Sequence, residues 1–112
     1  MMNKIILLIL LLTLTVSSYA HSVKEGAKAY IQSPKNGAIV SNPVMIKFAI
    51  KNFLIAPAGE NIHKAGHYHL LINVDEPIDV DVAIPRDKNH LHFDKGELSA
   101  KLNLSPGTYT LR

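Results

Sequence analysis

Beyond its first twenty residues this chain carries no helical repeat, and its apolar residues recur at every second position instead. Val44, Ile46 and Phe48 alternate with Met45, Lys47 and Ala49, and Leu98, Ala100, Leu102 and Leu104 alternate with polar neighbours. A period of two is the signature of a half-buried strand, whose successive side chains point to opposite faces. Further strand-like stretches lie at 29–32, 53–56, 67–74, 89–93 and 108–112. Turn chemistry separates them: Ser33-Pro34-Lys35-Asn36-Gly37, Asn42-Pro43 and Ser105-Pro106-Gly107 combine a fixed φ with residues that tolerate positive φ. Strands at roughly 8–15-residue spacing with Pro and Gly between them predict an all-β fold, a small Ig-like antiparallel β-sandwich. Residues 57–66 read as a loop containing His63, and 75–81 as an acidic connection. The chain stops within its last strand pattern, so the sandwich is expected to lack its C-terminal strand, and a missing strand would leave an unpaired sheet edge.

The chemistry is concentrated in two of these stretches. His67-Tyr68-His69 and His90-Leu91-His92 hold four of the six histidines. Residues two apart on a strand share a face, so each triplet presents two imidazoles together. Tyr68, Leu70 and Ile72 occupy the opposite face of the first strand, and Leu91 and Phe93 that of the second. The apolar sets are expected to face the core and the histidines the outer, polar face. On antiparallel neighbours, opposed Cβ atoms about 4.5–5.5 Å apart would let imidazoles from both strands reach one ion. His67, His69, His90 and His92 are therefore the expected metal ligands. Asp94, on the histidine face, is an added oxygen ligand, and Asp87 or Asp94 is alternatively an acceptor that fixes an imidazole tautomer. Without thiolates, imidazole and carboxylate suit a divalent transition metal such as copper or zinc. The competing reading is a set of solvated strand histidines bonded to loop carboxylates.

The N-terminus bears on the compartment. Lys4 precedes an apolar run over 5–16, interrupted by Thr13 and Thr15, and Ser18-Tyr19-Ala20 supplies small residues where a signal peptidase reads. This predicts a signal peptide over 1–20, since the run is short of the roughly 20 apolar residues that span a bilayer. A periplasmic or secreted product follows, with no membrane anchor after cleavage. The 112-residue chain less its 20-residue leader is 92 residues, one small domain over 21–112. Cleavage would leave His21 as the N-terminal residue, whose amine and ring together chelate Cu²⁺; an unstructured first residue is the alternative.

Composition narrows the function further. There is no cysteine, so no disulfide supports so small a core. Losing Lys4 with the leader takes the formal net charge from +3 to +2, which indicates neither a nucleic-acid nor an anionic-membrane partner. Asp75, Glu76, Asp79 and Asp81 lack the spacing and glycine of a calcium loop and read as solvated. Met45 lies within an apolar strand and reads as packing. No nucleophile elbow, zinc-protease helix or phosphate loop is present. The expected function is carriage or buffering of a metal, or structural stapling by one, without turnover. A metal-free Ig-like interaction module binding an envelope protein or glycan is the alternative, and a metal-dependent hydrolase or hydratase working beside Asp94 or Glu97 is a distant third.

Several segments together resemble a bacterial secreted family, domain of unknown function number 4399. They are GAKAYIQSPKNGAIV from Gly26, IAPAG from Ile55, GHYHLLI from Gly66, NHLHF from Asn89 and LSPGTYTL from Leu104. They cover nearly all of the chain after the leader, in the family's order. Where the family usually has three consecutive histidines, this chain has Tyr68 in the middle, which keeps the same-face pair. The resemblance also implies a further strand and a His- and Pro-rich segment after Leu111. The resemblance supplies a compartment and a domain but no activity. In outline, His21 and the Pro106-Gly107-Thr108-Tyr109 turn are similar to periplasmic copper-resistance proteins of Ig-like fold, a fold-level analogy.

Overall fold

The computed structural model describes residues 26–112. Residues 1–20, expected to be a leader, and His21 lie outside this range. Among the described residues there is no helix, and seven strands form three small sheets: β1 (Lys28–Ser33), β2 (Val44–Lys51), β3 (Leu54–Ile55), β4 (Ala65–Gly66), β5 (His69–Leu71), β6 (His90–His92) and β7 (Ser99–Leu102). The protein is a small all-β fold, as the alternation predicts.

The first layer is the antiparallel sheet β1-β2-β7. In β2, Val44, Ile46 and Phe48 are buried while Met45 and Lys47 are exposed; in β7, Ala100 and Leu102 are buried while Ser99 and Lys101 are exposed. The register places Val44 across from Leu102 and Ile46 across from Ala100, so both apolar sets line one face. Asn42 Oδ1 accepts the Leu104 N–H at 2.8 Å and ties the start of β2 to the end of β7. Leu98, expected on the same apolar row, is 61% exposed, although its carbonyl accepts the Phe48 N–H at 3.1 Å just ahead of β7.

The second layer is the antiparallel pair β5-β6. Its inward residues, Tyr68, Leu70 and Ile72, close on Val44, Ile46 and Phe48, with Leu91 and Phe93 packed beside them. Phe48 stands at the centre, its ring centroid 4.8 Å from those of Tyr68 and Phe93. Ile46 and Leu70 are essentially fully buried, a burial that contributes about 1.5–3 kcal/mol for each side chain. Burial also pushes the Tyr68 hydroxyl above its ordinary pKa.

Two features place the histidine strand. The 57–66 segment, expected to be a loop throughout, ends in β4, which runs parallel to β3 and not antiparallel. Leu54 and Ala56 donate backbone N–H groups to Lys64 and Gly66 carbonyls at 2.9 and 2.8 Å, which delivers the chain at a fixed position into His67. On the far edge of β5, Leu71 and Arg112 exchange two backbone hydrogen bonds of 2.7 and 2.9 Å, and Asn73 donates to Thr110 at 2.8 Å. β5 thus lies between β6 and residues 110–112. Asn73 adopts a left-handed φ of 55° where this pairing ends, and its side-chain oxygen accepts the Thr110 N–H at 2.9 Å.

Candidate metal centre

The β5-β6 register decides which imidazoles meet. His69 lies across from His92, Leu70 from Leu91 and Leu71 from His90. The Phe93 N–H bonds the Tyr68 carbonyl at 2.9 Å, which extends the same register. One step further it sets His67 across from Asp94. The outer face therefore carries two facing pairs, His69 with His92 and His67 with Asp94. One ligand atom from each of His67, His69 and His92 lies within 4.8 Å of the others, the one such cluster among the described residues. His90 is the correction to the four-histidine expectation. It sits two residues before His92, at the start of β6 and across from Leu71, and its Nδ1 is 2.7 Å from Asp87 Oδ1. His63 and the four acids of 75–81 take no part in the group.

The three imidazoles are tightly packed. The His69 ring centroid is 4.7 Å from that of His67 and 4.2 Å from that of His92. His67 Nε2 and His69 Nε2 approach to 2.8 Å, so with both rings neutral one donates and the other accepts. His92 Nε2 lies 2.6 Å from the Pro85 carbonyl. A carbonyl only accepts, so Nε2 carries the proton and Nδ1 keeps the lone pair of the neutral ring. That Nδ1 is 4.0 Å from Asp94 Oδ1. Asp94 Oδ2 is held by Arg86 Nη1 at 2.6 Å, while Oδ1 lies 3.4 Å from His67 Nε2.

Two polar atoms in this group are buried without a hydrogen-bond partner: His69 Nδ1 and Asp94 Oδ1. The 3.4 Å approach of Asp94 Oδ1 to His67 is ion-pair proximity without hydrogen-bond geometry. Orphaned buried polar atoms are uncommon in native folds, and here both belong to ligand-type side chains at one place. The electrostatics favour the unprotonated forms of His69 and Asp94. Burial, chiefly, and then the neighbouring His92 and His67, lower the His69 pKa from its ordinary 6.5, with Asp94 opposing. The hydrogen bond from Arg86, chiefly, holds the Asp94 carboxyl below the usual carboxylate range.

The face is less open than the alternation suggests. The His92 side chain is only 8% exposed, His67 25% and Asp94 34%. Leu71, on the histidine face by parity, is buried, because the irregular connection after β5 folds back over it. That connection contributes two partners that sequence patterning did not reveal, the Pro85 carbonyl and Arg86. Neither lies in a periodic segment, so no spacing rule points to them. Gly96 closes the turn after Asp94 with a φ of +79°, and a Cβ there would stand 3.4 Å from Pro57 N.

A small all-β domain carrying a three-histidine, one-carboxylate cluster on its second sheet is thus what fold and site define. The family model described as "Domain of unknown function (DUF4399)" matches residues 46–112, which include both strands of the site. The chain belongs to this family. Neither a curated protein nor a solved structure matches it.

Proposed function

We propose that this protein is an exported domain that binds one divalent transition metal, copper or zinc, through His67, His69 and His92, with Asp94 as fourth ligand. The observation that carries the reading is the convergence of three imidazoles within 4.8 Å on a face where His69 Nδ1 and Asp94 Oδ1 are buried and unpartnered. Imidazole and carboxylate form a donor set that suits Zn²⁺ and Cu²⁺. Metal–nitrogen bonds of about 2.0–2.1 Å place tetrahedral ligand atoms about 3.4 Å apart. Where both rings bind through Nε2, the His67–His69 pair at 2.8 Å opens by about half an ångström; binding through the unpartnered His69 Nδ1 needs no such opening. The Pro85 carbonyl would fix the His92 tautomer and Arg86 would hold Asp94, the supporting contacts that metal sites use to orient ligands. His21, if cleavage makes it the N-terminus, is a separate copper chelate outside this cluster. With four protein ligands around one ion, the role is carriage, buffering or stapling without turnover.

The test is metal analysis and thermal denaturation. Zn²⁺ or Cu²⁺ added to metal-stripped protein should raise its melting temperature, and the double variant His69→Ala/His92→Ala should abolish the rise. A melt unchanged by both ions would refute the reading. A metal-free interaction module of the cell envelope is the second reading, favoured by the fully exposed Ile39 and half-exposed Val40 between β1 and β2. It predicts metal-free purified protein and partner capture that survives chelator.

A further inference from the structure

The metal reading leaves His90 unused, although it belongs to the second triplet. Its surroundings define a separate site. Across the outer face of the second sheet, His90, Leu71 and Arg112 stand in one row: Leu71 faces His90 on β6 and exchanges both backbone bonds with Arg112 on its other side. Directly opposed residues of antiparallel strands share a face, so this row forms a floor with an apolar centre and a basic side chain at each end.

The irregular connection between β5 and β6 supplies the wall. Ile78, Val82 and Ile84 line, with the floor, a cleft of about 360 Å³, within the size range of small-ligand sites. Ile78 and Val82 are 52% and 62% exposed, apolar surface left facing an open cleft. The wall is tied at both ends: Arg112 Nη2 donates to the Glu76 carbonyl at 2.6 Å, and His92 bonds the Pro85 carbonyl at 2.6 Å. Long irregular segments held in this way are commonly binding elements.

The polar groups select the ligand. Among the described residues Arg112 has no carboxylate within ion-pair distance, and its single hydrogen bond leaves most of its donors free. His90 donates through its Nδ1–H to the Asp87 carboxylate, which leaves Nε2 unengaged. Glu76 and Asp79 also border the cleft, but on the connection and not on the sheet floor; the Asp79 carboxylate is turned back onto the Asp81 N–H at 2.9 Å. An apolar cleft ending at a guanidinium that no described carboxylate pairs matches an apolar tail with an anionic head, because arginine recognises carboxylates with paired donors.

We propose that this cleft binds a small apolar monocarboxylate, its carboxylate on Arg112 and its tail against Ile78, Val82 and Ile84 of the wall. The ligand would touch none of the proposed metal ligands, although His92 anchors one end of the wall through the Pro85 carbonyl.

The experiment is a titration of the purified chain, metal-stripped, with butanoate, hexanoate, octanoate and 1-octanol, read by amide chemical-shift changes. Affinity should tighten by about fourfold per methylene until the cleft is filled, and octanol should bind at least tenfold more weakly than octanoate. Arg112→Gln should erase the preference for octanoate over octanol, and Arg112→Lys should restore part of it. Val82→Trp, at an exposed wall position, should block all four compounds without lowering the melting temperature. Shifts absent from the cleft residues, equal binding of octanol and octanoate, or an Arg112→Gln variant that keeps the preference would each overturn the proposal.

Discussion

The two His-x-His triplets have the same spacing and the same apolar backing, although His67 and Tyr68 just precede β5 while the second triplet is the whole of β6, yet they end differently. Both histidines of the β5 triplet enter the cluster, whereas the β6 triplet divides, with His92 joining it and His90 turning to Asp87. Spacing decides which face a side chain takes, and register decides which side chains meet on that face. A register shifted by two residues would have put His67 across from His92 and His69 across from His90. The observed register instead gives His67 the carboxylate of Asp94 and leaves His90 beside Leu71.

The largest expected effect tests the backing that the triplets share. Leu70 is 1% exposed behind the β5 triplet, whereas Leu91 behind the β6 triplet is only partly buried. Leu70→Ala should cost about 2–5 kcal/mol of unfolding free energy by denaturant titration, and Leu91→Ala clearly less. Equal costs would show that the two strands are equally embedded. Next comes the metal. At a hundredfold excess over Kd, binding should stabilise the fold by about 2.7 kcal/mol. His92→Ala should remove most of that gain and His90→Ala should leave it in place; loss of the gain in both variants would restore the four-histidine site.

A smaller effect concerns the turn that presents Asp94. Gly96→Ala forces a side chain into the left-handed region at φ +79°, at a cost of about 1–2 kcal/mol, and should weaken metal binding through displacement of Asp94. The smallest effect is pH dependence. In metal-stripped protein the folded state lowers the His69 pKa below 6.5, so between the folded and unfolded values the unfolded chain binds more protons. Stability is then fully present above pH 6.5 and falls as the pH drops through the folded value. A melting profile should decline from pH 7 toward pH 5, and His69→Gln should flatten that decline; parallel profiles would place the proton uptake elsewhere. Asp94 and Asp87, both held below the carboxylate range by Arg86 and His90 respectively, add losses only in stronger acid, below about 3.8.

Much of the fold was legible because burial on a strand repeats every two residues. Val44, Ile46 and Phe48, Tyr68, Leu70 and Ile72, and Ala100 and Leu102 are core positions in the sequence and in the structure. The β4 strand was not legible. Ala65 and Gly66 have no period, and their pairing with Leu54 and Ile55 is parallel and set by the chain's return. Arg86 and the Pro85 carbonyl were equally hidden, since an irregular connection follows no repeat that would say where it folds back. Leu71 shows the limit of the polar-face argument: parity gave its face correctly, but the covering segment made that face partly apolar and enclosed.

The sequence alone determined that this is a strand-built domain, that each histidine pair shares a face, and that Leu70 and Leu91 lie behind them. These are local consequences of backbone geometry. Only the tertiary structure decided that His67, His69, His92 and Asp94 converge while His90 and Arg112 flank Leu71 in a different cleft. Register between strands separated by a long connection is set by packing Tyr68, Leu70 and Ile72 against the β2 core and by the pairing of residues 110–112 along β5. Those contacts join distant parts of the chain, and no local spacing encodes them.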